Sequence, residues 1–484
     1  MIRSGQLAVV TDPYSFSALR RQYRACRRHK RRTHNALAFE IDAEANLLRL
    51  QAELRAHTYR PGRSICFVTD GPKPREVFAA DFRDRVVHHL LVSWQEPAFE
   101  RQFIHDSYAC RSGKGTLAAS DRLMVFLRRA TANGRRPAWA LRLDVASFFP
   151  SIRKRTLYDL LAARVRHPEA RWLTEVVLFH DPTANFHFQT NGRAVPPPGT
   201  PRCPVPPAKS LFAGGGERGL PIGNLTSQFW ANVYLNEVDQ FVKRRLGVRH
   251  YLRYVDDMVL LDADRSRLVA ARDAVAGFLR DRLGLALRRD RLEPERVGRG
   301  IEFVGWKTWW SRRLPRRRTL GNLTTRLAAF DKTAIRPELL PAILSLALVG
   351  EAQATRIARL RATLASYAGH LRHGAAWRAW ERAWALHGWL GALWRRTGWT
   401  FAARWSDRPC RLPTRFRLEY AALVSGAGED VLVFVPVGRF VEFYGPQRLL
   451  AERVLGLRRT RLRRAGFAFT AGFPRNCPGN LEFP

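Results

Sequence analysis

Residues 251–261 read YLRYVDDMVLL, in which the carboxylates of Asp256 and Asp257 interrupt an otherwise continuous apolar run. Apolar residues on both sides of so short a break predict two strands joined by a tight turn. Side chains alternate along a strand, so two adjacent acids can face one way only from within that turn. A second acidic strand end lies upstream in LRLDVASFFPSI (141–152), where Asp144 closes an apolar run and a helix start follows. Carboxylates in such surroundings are costly to desolvate unless something cationic compensates them. Divalent metal ions fit that need. Two Mg2+ ions about 3.5–4 Å apart clamp the attacking and leaving oxygens of an in-line phosphoryl displacement. Asp144 and Asp256 are expected to bridge both ions, with Asp257 in a supporting place.

Composition agrees with a phosphate-rich partner. The 484 residues carry 82 Lys+Arg against 42 Asp+Glu, a formal net charge of +40, which excludes a generic metabolic enzyme as the default and points to nucleic acid. A hydrophobic fraction of 46%, with 28 Phe and 14 Trp, excludes disorder, so the cations sit on a folded body. Six cysteines (Cys26, Cys66, Cys110, Cys203, Cys410, Cys477) form no CxxC pair, which argues against a zinc site or disulfide framework and for a reducing, cytoplasmic setting. The start, MIRSGQLAVVTDPYSFS, lacks a basic-then-apolar leader pattern. The longest apolar stretch, Leu339–Val349, is about half a membrane span and reads as a buried helix, so no membrane partner is expected.

Along the chain, 13–60 is basic and helix-prone, 61–80 holds short β-like runs, and 81–99 is helical in pattern. Residues 139–152 give a strand, WALRLDVA, ending in a turn and a helix start. Residues 181–218, rich in Pro and Gly, read as an irregular insertion. A helix at 224–246, the hairpin at 250–262, a helix at 264–284 and a short strand at 301–306 follow. Residues 320–404 read as all-helical with Trp and Arg interleaved, and the pattern after about 408 changes to a small α/β unit. These shifts set domains at 1–310, 311–407 and 408–484.

Taken in order, the blocks resemble the reverse transcriptases over about residues 35–390. YVDD is similar to that family's catalytic hairpin and LDVASFFPSI to its first acidic strand. PKPREVFAADFRDRVVHHLL (72–91) resembles the fingers segment, HDSYACRSGKGTLAA (105–119) the block after it, and FVGW (303–306) the hairpin that grips the primer. GLPIGNLTSQFWANVYLN (219–236), ending its motif in Ser227 and Gln228, resembles the reverse transcriptases of diversity-generating retroelements, as do FHDPTANFHF (179–188), AKSLF (208–212) and SYAGHLRHGAAWR (366–378).

The resemblance implies an α+β right-hand polymerase, with fingers and palm built on an antiparallel sheet and a helical thumb. It implies RNA-templated DNA synthesis with two Mg2+ ions, Mn2+ being able to substitute. Asp144, Asp256 and Asp257 would be the catalytic acids, with the main chain of Val145 helping to hold metal. Ala146, Lys73, Arg75 and Gln228 would contact the dNTP, and Phe149 would be the gate against a ribose 2′-OH. Ile222 stands where most of the family carries a Gln that touches the incoming nucleotide, so base-pair geometry would be checked less strictly. Phe303, Gly305 and Trp306 would form the primer grip. In that subfamily the enzyme copies a template RNA, misincorporates opposite adenines, and works with a basic accessory protein that forms a pentameric barrel. Template RNA, cDNA and their heteroduplex are thus the expected partners. Arg356, Arg359, Arg361 and Arg372 would track duplex phosphates, whereas Trp377, Trp380, Trp384 and Trp394 at helical spacing suit a core better. Alternatives are an intron-related or defence-type reverse transcriptase, or an inactive nucleic-acid-binding scaffold.

The last segment has a resemblance of its own. EDVLVFVPVGRFVEFYGPQRLLAERVLGL (429–457) and AGFPRN (471–476) are similar to the N-terminal mismatch-recognition domain of MutS proteins, with Phe440-Val441-Glu442 on its Phe-x-Glu motif. There the Phe wedges beside a mispaired base and the Glu hydrogen-bonds it. Arg439 and Val441 depart from the usual pattern. No GxxxxGK[ST] phosphate loop occurs, so the MutS ATPase is absent.

Overall fold

The computed structural model describes residues 12–28, 33–69, 73–190, 203–331, 351–403, 423–424, 431–437, 440–444, 446–457 and 471–474. It is an α+β chain in two compact units that divide between Ser311 and Arg312.

In the first unit, three helices, α1 (Phe16–Arg27), α2 (His34–Ile41) and α3 (Ala43–Arg55), precede strands β1 (Ser64–Val68) and β2 (Glu76–Ala79). Asp81 caps the long helix α4 (Phe82–Glu100), its carboxylate accepting from the Arg83 amide at 3.0 Å. Helix α5 (Thr116–Ala130), strand β3 (Trp139–Leu143) and helices α6 (Phe148–Ser151), α7 (Lys154–Ala162) and α8 (Pro168–Phe179) come next. The segment read as an irregular insertion contains β4 (Phe186–Phe188), which lies parallel to β1, Cys66 opposite Phe188. Three residues flanked by turn formers give too short a period for a strand to show in sequence.

Helix α9 (Leu225–Gln240) buries twelve of its sixteen residues, including Asn232, Asn236 and Asp239. Strands β5 (His250–Tyr254) and β6 (Asp257–Asp262), helix α10 (Arg265–Phe278) and the short strand β7 (Glu295–Arg296) complete an antiparallel sheet of order β5-β6-β3-β7. Both of its faces are buried. Leu141, Leu143, Met258 and Leu260 join one core cluster, while Ala140, Leu252, Val259 and Leu261 join another. This is why β6 reads as an unbroken apolar run instead of alternating. The segment expected as one strand at 301–306 is a hairpin, β8 (Ile301–Phe303) and β9 (Trp306–Thr308), turned at Val304 (φ 41°) and Gly305 (φ 90°). Positive φ at both central residues matches the twist of a two-residue hairpin.

The second unit contains helices Arg317–Asp331, Glu351–Leu371 and Trp377–Leu386. Leu327, Leu364, Leu371, Trp380, Trp384 and Trp394 are buried in its core, whereas Arg356, Arg359, Arg361 and Arg372 are exposed. Trp377 is exposed and makes an edge contact with Trp399. The expected all-helical stretch ends differently, in a hairpin of Trp394–Thr397 with Thr400–Ala403. Gly398 at φ 61° supplies the left-handed turn, and Trp, Thr and Phe favour the pleated strands around it.

Further on, strands Val435–Val437, Phe440–Phe443 and Ala471–Pro474 form an antiparallel sheet with the middle one central. Helix Pro446–Val454 packs against it, and buried Gln447 bonds the Val433 amide and the Val431 carbonyl, each at 2.8 Å. AGFP is thus an edge strand of this sheet. The expected helix at 339–349, and Cys410 and Cys477, fall outside the described residues. Among the described residues, Cys26, Cys66, Cys110 and Cys203 are in no disulfide. Among the described residues no helix is long and apolar enough to cross a membrane.

Candidate active site

The first acid is placed by β3. Chain direction changes after Leu143, and Asp144 leads into Val145, which bridges Leu287. The Ala146 amide donates to the Ala286 carbonyl and the Arg288 amide to the Asp144 carbonyl, both at 2.8 Å. Ser147 then takes a left-handed conformation (φ 46°, ψ 46°) to start α6. Loop 219–224 runs against this turn. Gly219 donates to the Ile152 carbonyl at 2.8 Å and Leu220 to the Phe149 carbonyl at 2.9 Å. A Cβ at Gly219 (φ 94°) would lie 2.4 Å from Leu211, so glycine is required for the approach. The same loop carries Ile222, half-buried, whose carbonyl accepts from the Phe78 amide at 2.9 Å. Phe149 and Ile222 are therefore brought to one region by main-chain bonds.

The second acid comes from the β5–β6 turn. Tyr254 pairs with Asp257, leaving Val255 and Asp256 as the two turn residues. Asp257 therefore opens β6, exposed to solvent, instead of sharing the turn with Asp256. Val255 has φ 54°, a conformation that costs a β-branched residue roughly 1–3 kcal/mol and persists where surroundings impose it. Asp256 lies within hydrogen-bonding reach of Asp144. Burial first, then the charges of Asp144 and Asp257, push its carboxyl up to about 7. Two carboxylates pressed together at a strand end gain most from a cation, and an all-oxygen donor set suits a hard divalent ion such as Mg2+. Among the described residues no cluster of three or more His, Cys, Asp and Glu side chains assembles. On the flank, Arg288 donates from Nη1 to Asp144 Oδ2 at 2.8 Å and from Nη2 to Asp290 Oδ2 at 2.6 Å.

The match is to the reverse transcriptase (RNA-dependent DNA polymerase) family, over residues 72–307. That segment is a reverse transcriptase domain. RNA-dependent DNA polymerase is the activity that the matched family's description names. Protein YkfC of Escherichia coli (strain K12) is 25% identical over 290 residues, 53% of this chain and 69% of its own. Apo telomerase from Candida tropicalis, truncated from its C-terminal domain, is a structural relative at 11% identity and TM-score 0.37, covering 52% of this chain and 55% of that one. Telomerase from Candida albicans with a TWJ fragment of telomeric RNA gives 11% and 0.33, covering 62% and 56%. The chain thus spans little more than half the length of either telomerase.

Other expected residues of the reverse transcriptase domain sit as follows. Gln228 is exposed on the first turn of α9, its Oε1 accepting from Cys110 Sγ at 3.5 Å. Lys73 and Arg75 are exposed beside β2, on a different sheet from the acids. Phe303 and Trp306 are core residues, 3% and 2% exposed, whereas the turn at Val304 and Gly305 between them is half-buried. In the C-terminal sheet, Phe440 and Glu442 lie on the middle strand, and Glu442 accepts a hydrogen bond from Tyr444 Oη. Sequence reasoning missed Arg253, Asp239 and Arg288. A lone arginine inside the apolar strand YLRY is a signal in itself, because a buried cation demands a partner. Arg288 carries no such signal in a chain this rich in arginine.

Proposed function

We propose that this polymerase serves a diversity-generating retroelement, copying a template RNA into cDNA with errors directed at adenines. The convergence of Asp144 and Asp256 at the β5–β6 turn carries the polymerase part. The motif at 219–236, with Ile222 in place of the usual Gln, supports the subfamily.

In this reading Asp144 and Asp256 hold two Mg2+ ions, with the Val145 carbonyl alongside and Asp257 adding negative charge. The ions, when bound, stabilise the attacking primer 3′-oxygen and the leaving pyrophosphate oxygen. Phe149, its main chain pinned by Leu220, blocks a 2′-OH. The amide side of Ala146 and the cations Lys73 and Arg75 receive the triphosphate, with Gln228 beside the nucleotide. Ile222 cannot donate or accept from its side chain, so a mispair opposite adenine loses no hydrogen bond there. Exposed arginines of 351–372 neutralise duplex phosphates. The C-terminal sheet binds mismatched or distorted duplex through Phe440 and Glu442, since a mispaired step costs less to unstack. A basic, barrel-forming accessory protein is the expected partner.

Sequencing of cDNA made from a defined RNA template tests the subfamily. Substitutions concentrated at template adenines, and reduced in Ile222→Gln, are the expected result. An even error spectrum in both proteins overturns it.

A further inference from the structure

Arg253 precedes the Val255–Asp256 turn by two residues, and its side chain is fully buried. A buried guanidinium is stable only with a counter-charge and acceptors for its five N–H donors. All five are met. Nε donates to Asp239 Oδ1 at 2.8 Å and Nη2 to Asp239 Oδ2 at 2.6 Å, a two-pronged ion pair. Nη2 also reaches Ser107 Oγ at 3.1 Å, and Nη1 reaches Asn232 Oδ1 at 3.1 Å. The fifth bond runs from Nη1 to the Val255 carbonyl at 2.8 Å.

That last acceptor lies inside the catalytic turn, in the peptide that leads into Asp256. It belongs to the residue held at φ 54°, which a valine does not adopt by preference. The other end of the fork is equally fixed. Tyr251 Oη donates to Asp239 Oδ1 at 2.6 Å, and Asn232 Nδ2 donates to the Ala109 carbonyl at 2.7 Å. The backbone of Arg253 is bracketed too, its amide donating to the Asp106 carbonyl and its carbonyl accepting from the Tyr108 amide, both at 2.9 Å. Helix α9, the 106–109 segment and the turn therefore meet on one side chain.

We propose that Arg253, clamped by Asp239, is a positioning residue that sets the Asp256 carboxylate against Asp144 by holding the Val255 carbonyl. The proposal rests on reading Asp144 and Asp256 as the metal-binding pair. Lysine keeps the charge but lacks the planar fork, so it cannot serve both Asp239 oxygens and the Val255 carbonyl together.

The test uses the full chain with Arg253→Lys, Asp239→Asn and, as reference, Asp256→Asn. RNA-templated primer extension is measured per competent site by active-site titration, and Mn2+ binding is measured by electron paramagnetic resonance without nucleotide. Arg253→Lys is expected to lower the rate per competent site about 10–100-fold and to weaken Mn2+ binding by a similar order, as loss of an outer-shell partner does. The KM for dNTP stays unchanged. Adding Val255→Gly restores part of the rate, because glycine accepts φ 54° without the strut. Asp239→Asn, which keeps the shape and one acceptor oxygen, shifts rate and Mn2+ affinity in the same direction by less. Wild-type rate per site and wild-type Mn2+ affinity in Asp239→Asn overturn the proposal whether or not Arg253→Lys folds. Extension by Asp256→Asn equal to wild type refutes the metal-pair reading instead.

Discussion

The β5–β6 turn and the C-terminal sheet each present an acid, yet the two acids are held in different ways. Asp256 sits on a sheet buried on both faces, beside Asp144 from a strand more than a hundred residues earlier, and its turn hangs on a guanidinium whose every donor is used. Glu442 is engaged by Tyr444, two residues along the same chain. The first arrangement fixes a carboxylate through distant partners and tolerates little change. The second is local, between residues two apart on one stretch of chain. The proposed two-metal chemistry would need the former, and the proposed contact with a deformable duplex would be served by the latter.

Variants sharpen that contrast. Trp380 is fully buried in the helical core of the second unit, stacked on Trp399 at 5.8 Å and in edge contact with Trp384. Trp380→Ala should cost about 3–5 kcal/mol there. Differential scanning calorimetry should show the transition of the second unit lowered and that of the first retained; a uniform shift of both contradicts the division.

A smaller effect marks the framework of the first unit. His88 is buried on α4 against Thr226 Oγ1 at 2.9 Å, and burial, then nearby His89 and Arg85, hold its imidazole down to about 3. Its folded value lies below the unfolded one, so the stability it contributes is present above about pH 6.5 and is lost as pH falls toward 3. The loss should reach about 2 kcal/mol between pH 7 and pH 5 in wild type. His88→Asn should remove that increment, as read from urea midpoints at the two pH values; parallel midpoints in both proteins count against a buried neutral histidine.

The smallest effect belongs to the C-terminal sheet. Phe440→Ala should reduce the preference for mismatched over fully paired duplex by about 1 kcal/mol, the lower end for one aromatic–base contact. Primer extension should stay at its wild-type rate. Equal weakening on both duplexes argues for a packing role.

How much was legible in sequence follows the same divide. The acidic pair stood out because carboxylates break apolar strands, and the ordered blocks around them covered most of the first unit. Arg253 was hidden among the many cations of the chain, although its place in YLRY set it apart. The hairpin at 394–403 was masked by Trp and Arg at spacings that suit a helix, and Gly398 alone marked the turn. Strand 186–188 pairs with a distant partner, β1, which no local pattern reveals. Asp257 could be separated from Asp256 only by the register Tyr254–Asp257.

RNA-templated primer extension by purified wild type, Asp144→Asn and Asp256→Asn bears most directly on the account. Wild type should extend a primer with dNTPs in the presence of Mg2+, and each variant should lose at least about 10^2–10^3-fold in rate while keeping its fold. Undiminished extension by Asp144→Asn would contradict a shared site built from two distant carboxylates.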